Sequence, residues 1–185
     1  MIKLKTVDKT KAVFLDRDGV INVDKGYVYK AEDLVFTPHI FEALKGLQQK
    51  GYALFVVTNQ SGVARGYYTE QDVVDFHKEM DLQLKAKDIT ITSWYYCPHH
   101  LKGQDKAYQL ECHCRKPKTG MIDAALKEHP AIDINNSFMV GDKISDIDCG
   151  LAAGLKTIQI DTGRYPLHHN PGATCKSLYE ALELF

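Results

Sequence analysis

Residues 12–19 read Ala-Val-Phe-Leu-Asp-Arg-Asp-Gly. The four apolar residues at the start predict a short strand that is buried on both faces of a sheet. Two aspartates and a glycine follow closely, which predicts that the strand ends in a turn carrying carboxylates. A buried strand with reactive groups at its carboxyl end is typical of an open α/β sheet.

Further apolar runs alternate with helical patterns along the rest of the chain. The other predicted strands are residues 53–57, 89–96, 138–140 and 157–160. The predicted helices are residues 40–50, 69–86, 119–129, 145–153 and 177–184. Gly51 is placed to end the first helix, and Thr69 and Thr119 to cap two others. This alternation predicts a doubly wound, Rossmann-like parallel sheet, with residues 1–185 forming a single domain.

The composition excludes several classes of protein. The chain has 185 residues, of which 44% are hydrophobic and 25% are charged, and its formal net charge is -1. That balance offers no broad basic surface, so we expect no nucleic-acid partner. The first fifteen residues contain no long apolar run, and we expect neither a signal peptide nor a membrane span. We therefore expect a cytoplasmic monomer with no membrane partner.

Polar residues follow three of the predicted strands at the point where each strand ends. Asp16 and Asp18 follow the first strand, Thr58 and Asn59 the second, and Asp142 a later one. Because the carboxyl ends of parallel strands meet at one edge of a sheet, we expect these side chains to converge. Neighbouring carboxylates repel each other unless a cation lies between them. An all-oxygen set of Asp16, Asp18 and Asp142 predicts bound Mg²⁺.

A carboxylate nucleophile beside magnesium is suited to phosphoryl transfer. That reaction needs alignment and neutralisation of the phosphoryl oxygens, for which Thr58, Asn59 and Lys116 are predicted donors. Taken alone, Asp-Arg-Asp-Gly is equally typical of a turn capped by acidic residues. The conjunction of the motifs at three strand ends favours the catalytic interpretation.

Three of the five cysteines lie close to histidines, in a segment that fits neither helix nor strand. The predicted metal ligands are Cys97, His99, Cys112 and Cys114, with His100 and His113 as alternative histidines. Sulfur and nitrogen ligands predict Zn²⁺. Four protein ligands leave no open position, so the zinc would be structural and would organise the loop at 97–114. Free surface cysteines are the alternative.

Together the motifs resemble the haloacid dehalogenase superfamily of phosphohydrolases. Its signature is Asp-x-Asp-Gly, a Ser or Thr after a second strand, a Lys and a late acidic pair. All four occur here in order between residues 12 and 163. One departure is Val20, where many members have Thr. The resemblance implies the fold predicted above, with the nucleophile on the central strand.

The resemblance also implies a role for each catalytic residue. Asp16 would attack phosphorus and become phosphorylated, and Asp18 would protonate the leaving alkoxide and then deprotonate water. Asp16 and Asp142 would bind magnesium through carboxylates, and Asp18 through its main-chain carbonyl. Thr58 and Lys116 would hold the transferring phosphoryl oxygens.

Within the family, the cysteine loop resembles that of enzymes acting on a sugar bisphosphate. Twelve residues separate His99 from Cys112, whereas the interval is short in histidinol-phosphate phosphatases. A histidinol-phosphate or other small-molecule phosphatase is the alternative. No insertion before Cys97 is long enough for a large cap domain, so the site should be open.

A bisphosphate has a second phosphate that needs a cation, and Arg115 is placed in sequence to bind it. The predicted substrate-binding residues are Asp24, Lys25, Gly26, Tyr27, Thr58, Asn59, Gln60, Ser61, Arg115, Lys116 and Lys143. Asp146 is expected to orient neighbouring groups, and Arg65 and Lys118 fit surface positions equally well. The pair His168-His169 is expected in a solvated loop.

The sequence disfavours two other classes of protein. A zinc-stabilised nucleic-acid-binding module is disfavoured by the net charge of -1. A phosphate-binding protein without turnover is disfavoured because Asp16, Asp18, Lys116 and Asp142 are all present.

Overall fold

A computed structural model describes residues 9–185 and contains one six-stranded parallel sheet. The strands are β1 (Lys11–Leu15), β2 (Tyr52–Asn59), β3 (Ser93–Cys97), β4 (Phe138–Gly141), β5 (Lys156–Ile160) and β6 (Ala173–Cys175). The helices are α1 (Ile40–Gln49), α2 (Glu70–Lys85), α3 (Gly120–Glu128) and α4 (Ile144–Ala152). Shorter 3-10 helices span Ala31–Asp33, Ile134–Asn136 and Glu180–Leu184. We expect no signal peptide in the first fifteen residues. Residues 1–8 of that segment lie outside the described residues.

The strand order is β3-β2-β1-β4-β5-β6, so β1 lies inside the sheet and the order reverses on either side of it. Phe14 of β1 pairs with Phe55 of β2 on one side and with Met139 of β4 on the other. Ligands bind at such a reversal in open α/β sheets. The predicted doubly wound sheet is confirmed, with the aspartates of residues 16–19 at the reversal.

Both faces of β1 are buried, as its continuous apolar run predicts. Val13 and Leu15 pack in a cluster with side chains of α1 and α2, whereas Phe14 packs on the other face with side chains of α3. Successive side chains of a strand point to opposite faces, so four apolar residues in a row require helices on both sides of the sheet.

The ends of the helices follow their capping signals in two of three cases. The Thr69 hydroxyl accepts a hydrogen bond from Asp72 N (3.2 Å), and Gly51 ends α1 with a φ of +83°. Thr119 behaves differently, because its hydroxyl donates to Asp123 Oδ2 (2.8 Å) and caps no main-chain N–H.

Three elements differ from the prediction. Strand β3 begins at Ser93 rather than at residue 89, because the parallel pairing with β2 starts only at Ser93, opposite Phe55. Ile89 and Ile91 are nevertheless buried, which explains their strand-like pattern. The predicted helix at 177–184 is a 3-10 helix that begins at Glu180. Strand β6, a three-residue edge strand, has no apolar run that would have predicted it.

No large cap domain interrupts the part of the chain that the structure describes. Between the end of β1 and the start of α1, the chain forms only the 3-10 turn Ala31–Asp33. The carboxyl edge of the sheet is therefore covered by loops rather than by a separate folded domain.

Along residues 9–185, no helix combines the length and the apolar content needed to cross a bilayer.

Candidate active site

The predicted catalytic residues converge at the carboxyl edge of the sheet, in a cleft of about 420 Å³. The predicted residues that line it are Asp16, Asp18, Asp24, Gly26, Tyr27, Thr58, Asn59, Gln60, Ser61, Arg115, Lys116 and Lys143. Asp142 lies buried beside them, next to Asp16. Five of these residues come from the carboxyl ends of three neighbouring parallel strands, as expected. The end of β1 supplies Asp16 and Asp18, that of β2 supplies Thr58 and Asn59, and that of β4 supplies Asp142.

Asp16, Asp142 and Asp146 form an acidic cluster, each placing a carboxylate oxygen within 4.8 Å of the others. All three side chains are buried. Both carboxylate oxygens of Asp142 lack a hydrogen-bond partner, although Lys143 Nζ lies 3.4 Å from Oδ1. Burial, together with the neighbouring charge of Asp16, raises the pKa of Asp142 to about 8. A divalent cation would relieve this repulsion, and a set of carboxylate oxygens fits Mg²⁺.

Asp16 is poised as an anion. Burial alone would favour its protonated form, but two lysines near its carboxylate hold its pKa below the ordinary value. Lys116 Nζ lies 3.0 Å from Oδ1, and Lys143 Nζ lies 4.0 Å from Oδ2. An ionised carboxylate is the form required of a nucleophile.

Lys116 is fully enclosed and joins the cluster from the loop before α3. Its ammonium donates to Val57 O (2.7 Å) and contacts Asp146 Oδ1 (2.8 Å). Asn59 holds the main chain of Lys116 from both sides, accepting from its N (3.1 Å) and donating to its O (3.1 Å). Asn59 therefore lines the cleft, but its side-chain amide is occupied in positioning Lys116.

Asp18 is turned away from the acidic cluster. Its carboxylate accepts hydrogen bonds from the Arg17 guanidinium (2.9 and 3.0 Å), Asn22 Nδ2 (2.9 Å) and Gln60 Nε2 (3.0 Å). In this orientation only its main chain is left for a metal, as the predicted magnesium set requires. Arg17 is wholly buried and was not singled out by sequence reasoning, because its position between two aspartates resembles that of a surface residue.

The segment 24–27 approaches the cleft with one exception. Asp24, Gly26 and Tyr27 line it, whereas Lys25 does not and instead donates to Asp33 O (3.2 Å) at the surface. The structure does not bring Lys25 to the cleft lining, and its predicted contact with the substrate stays a prediction.

Four residues that line the cleft were missed by sequence reasoning: Tyr68, Ser145, Arg164 and Tyr165. Arg164 and Tyr165 follow β5, so the rule that reactive groups lie beyond strand ends would have found them. Arg65 lies outside the cleft lining, and Lys118 binds Glu111 (2.6 Å) at the surface. His168 is buried and faces Asp148 (3.2 Å), contrary to the expected solvated loop.

The four predicted zinc ligands also lie together. Atoms of Cys97, His99, Cys112 and Cys114 all fall within 4.8 Å of one another, with 3.5 Å between the sulfurs of Cys97 and Cys112. Burial raises the pKa of Cys97, so its thiolate requires a cation nearby. Three thiolates and an imidazole are a donor set that fits Zn²⁺.

Both alternative histidines are engaged elsewhere. His113 is mostly exposed and faces Asp123 Oδ2 (3.0 Å), and His100 Nδ1 accepts from Lys102 N (3.0 Å). The cysteine cluster is linked to the cleft through Arg115, whose guanidinium donates to the carbonyl of His99 (3.2 Å).

The chain is similar to known proteins in both structure and sequence. A HAD-hydrolase-like family model matches residues 113–181. A crystal structure of D,D-heptose 1,7-bisphosphate phosphatase from B. bronchiseptica, complexed with magnesium and phosphate, is similar to this chain with a TM-score of 0.80. The two are 26% identical, over 95% of this chain and 97% of that one.

Relatives of known sequence are more similar still. The chain is 44% identical to D-glycero-beta-D-manno-heptose-1,7-bisphosphate 7-phosphatase of Haemophilus influenzae, over 83% of each chain. It is 49% identical to the D-glycero-alpha-D-manno-heptose-1,7-bisphosphate 7-phosphatase of Campylobacter jejuni, over 81% of each. The chain belongs to the haloacid dehalogenase-like phosphatase family, and the prediction of a phosphoric monoester hydrolase is confirmed.

Proposed function

We propose that this chain hydrolyses the 7-phosphate of D-glycero-D-manno-heptose 1,7-bisphosphate. Support comes from relatives named for that activity, at 44% and 49% identity, and from one structural observation. The cleft joins a buried anionic nucleophile, Asp16, to a cation, Arg115, that no carboxylate neutralises among the described residues. The product, heptose 1-phosphate, would enter synthesis of nucleotide-activated heptose for the lipopolysaccharide core.

The first step is attack of an Asp16 carboxylate oxygen on phosphorus, which breaks the bond to the sugar oxygen and leaves an aspartyl phosphate. Lys116, 3.0 Å from the Asp16 carboxylate, and Thr58 hold the transferring oxygens. Lys143 approaches the same carboxylate from its other oxygen. These cations offset the repulsion between an anionic nucleophile and an anionic phosphoryl group.

Asp18 handles the protons. It donates one to the departing alkoxide and removes one from the water that hydrolyses the aspartyl phosphate. Its carboxylate lines the cleft, where Arg17 and Gln60 hold it through hydrogen bonds of 2.9 and 3.0 Å, and it would turn from these partners towards the leaving oxygen.

Mg²⁺ fits the acidic cluster and, when bound, supplies neutralisation of the phosphoryl oxygens. Asp16 and Asp142 would hold it through carboxylates and Asp18 through its main-chain carbonyl. The two unpartnered oxygens of Asp142 support this assignment. Zn²⁺ would be held by Cys97, His99, Cys112 and Cys114.

The remote phosphate is assigned to Arg115, whose planar guanidinium can bind a phosphate through two hydrogen bonds. Asp24, Gly26 and Tyr27 line the cleft and would contact the sugar, and Gln60 and Ser61 line it beyond β2.

A panel of substrates tests the proposal. With magnesium present, kcat/KM for both anomers of the heptose bisphosphate is compared with that for heptose 7-phosphate, histidinol phosphate and other small monophosphates. We expect strong preference for a bisphosphate, because the remote phosphate contributes binding energy that is used in the transition state. Equal values for bisphosphate and monophosphates would overturn the assignment.

Substitution of Arg115 locates that preference. Arg115→Ala should lower kcat/KM for the bisphosphate by about 30-fold, as expected for loss of charged hydrogen bonds, and leave that for monophosphates nearly unchanged. The control is Lys118→Ala, which removes a nearby exposed cation that is outside the cleft lining and should preserve both values.

A further inference from the structure

Tyr165 lies on the loop after β5 and makes two contacts that the proposed reaction does not use. Its hydroxyl donates a hydrogen bond of 2.7 Å to Asp24 Oδ2. The ammonium of Lys143 lies over its ring, 4.6 Å from the ring centroid. One aromatic side chain thus touches both an acid and a cation in the wall of the cleft.

Lys143 is the residue at which these contacts meet. Its Nζ donates to the same Asp24 oxygen (3.3 Å) and lies 3.4 Å from Asp142 Oδ1 and 4.0 Å from Asp16 Oδ2. The ammonium therefore lies between Asp24 of the segment 24–27 and the carboxylate of Asp16. A lysine has a flexible four-carbon stem, so its position depends on the groups that surround its charged end.

The loop that carries Tyr165 is itself held in place. The Arg164 guanidinium donates to the main-chain carbonyl of Asp24. Behind it, the buried Gln159 donates to Pro166 O (3.1 Å) and accepts from His168 N (2.7 Å). Tyr165 is thus presented from a loop fixed at both its ends, which a positioning residue requires.

We propose that Tyr165 is a positioning residue for phosphoryl transfer, which holds the Lys143 ammonium beside the Asp16 carboxylate through its ring and through Asp24. This rests on the proposed function, in which Lys143 helps to neutralise the transferring phosphoryl group. The ring and the hydroxyl of Tyr165 act on Lys143 independently of each other. The ring attracts the cation directly, and the hydroxyl fixes the carboxylate that binds the same cation.

If Tyr165 positions Lys143, removing its contacts should lower the activity by the same factor for every phosphomonoester. Lys143 faces the transferring phosphoryl group, which every phosphomonoester possesses, whereas Arg115 is assigned to the remote phosphate of a bisphosphate. A defect in positioning Lys143 should therefore lower kcat/KM equally for heptose bisphosphate and for p-nitrophenyl phosphate.

Two substitutions separate the two contacts. Tyr165→Phe keeps the ring and removes the hydroxyl, and should lower kcat/KM about tenfold for both substrates, as expected for loss of a hydrogen bond to a charged group. Tyr165→Leu also removes the ring and should lower it about threefold further. Tyr179→Phe, at a half-exposed tyrosine outside the cleft lining, is the matched control and should leave the activity unchanged.

A double-mutant cycle distinguishes positioning of Lys143 from a general structural effect. In a Lys143→Met background, the Tyr165→Phe change should reduce kcat/KM less than twofold. An undiminished tenfold loss in that background would overturn the proposal, as would a loss confined to the bisphosphate or no loss at all. If Tyr165→Leu lowers the melting temperature sharply, Tyr165→Phe alone carries the cycle.

The outcome is separate from that of the proposed function. A wild-type protein that shows no preference for heptose bisphosphate contradicts the substrate assignment. The Tyr165 cycle is then read with p-nitrophenyl phosphate alone and decides the positioning role just as well.

Discussion

Asp16 lies at the end of β1 with a lysine beside each carboxylate oxygen, 3.0 Å away on one side and 4.0 Å on the other. This arrangement lowers the pKa of the carboxyl group although it is buried. It favours the ionised form of the proposed nucleophile and contacts both of its oxygens. These two ammonium groups supply the positive charge that an ionised carboxylate needs inside an otherwise acidic cluster.

Replacing that nucleophile tests covalent catalysis. Asp16→Asn should lower kcat by at least about 10⁴-fold, because an amide does not attack phosphorus. Rapid quenching with radiolabelled substrate should give labelled wild-type protein and no labelled variant. Asp81→Asn, at a partly buried aspartate of α2 outside the cleft lining, is the control. Substantial turnover by Asp16→Asn would exclude the aspartyl-phosphate mechanism.

Gly19 allows Asp142 to lie close to the turn at residues 16–19. Its φ is +89°, and an added Cβ would lie 2.1 Å from Asp142 Oδ2. Gly19→Ala should therefore lower the free energy of unfolding by about 1–3 kcal/mol and reduce magnesium-dependent activity at least tenfold.

The matched control for Gly19 is Gly51→Ala. Gly51 also has a positive φ, +83°, but an added Cβ there would meet no atom within 4 Å. It should lose about 1 kcal/mol of stability from backbone strain and keep its activity. Chemical denaturation and kcat/KM measure both effects. Equal loss of activity in the two variants would show that close packing against Asp142 is unimportant.

At the scale of elements, the loop at 97–114 forms neither helix nor strand after Cys97, yet it leads to Arg115 and Lys116. Apart from the cysteine cluster, it is fastened by Glu70 of α2, which accepts from the hydroxyls of Tyr96 (2.7 Å) and Tyr108 (2.8 Å). A loop of this length without helix or strand needs such anchors.

Loss of a cysteine ligand should therefore affect both stability and catalysis. Cys112→Ser should release zinc, lower the melting temperature and reduce kcat/KM for the bisphosphate, because the ion and the loop fold together. Cys175→Ser, which alters a cysteine of β6 outside the cluster, is the control. Metal analysis, thermal unfolding and kinetics measure the three effects. Release of zinc with unchanged catalysis and melting temperature would contradict a structural role.

At the scale of the whole molecule, the acidic cluster joins β1, β4 and α4 in one buried volume. The unfavourable charge there links the stability of the protein to pH and to magnesium. Burial raises the pKa of Asp142 to about 8 from an ordinary 3.8, and burial also raises that of Asp146. Asp16 changes in the opposite direction.

Without magnesium, the folded protein retains a proton on Asp142 that the unfolded chain has lost above pH 3.8. The contribution of Asp142 to the free energy of unfolding should therefore fall as the pH rises from 3.8 towards about 8. Magnesium competes with that proton, so it should raise the melting temperature more at pH 8 than at pH 5. Thermal unfolding of zinc-loaded protein with and without magnesium measures this difference. Asp142→Asn should abolish it, and an equal magnesium effect at both pH values would contradict the assignment.

The sequence alone predicted five of the six strands and the four α-helices in their order along the chain, and it pointed to the carboxylates and the cysteine and histidine set that the fold brings together. These features depend on local patterns: apolar periodicity, capping and turn residues, and the rule that parallel strands end at one edge. The same local patterns misplaced the start of β3, because Ile89 and Ile91 are buried without being in the sheet.

Only the tertiary structure decided which side chains near the cleft face it. In the folded chain, Lys25 lies away from the cleft and the side chain of Asn59 binds the main chain of Lys116. Tyr165 contacts Asp24, which is 141 positions away in the sequence. Contacts between distant segments depend on how the loops pack against one another over the sheet, and no local pattern of residue types carries that information.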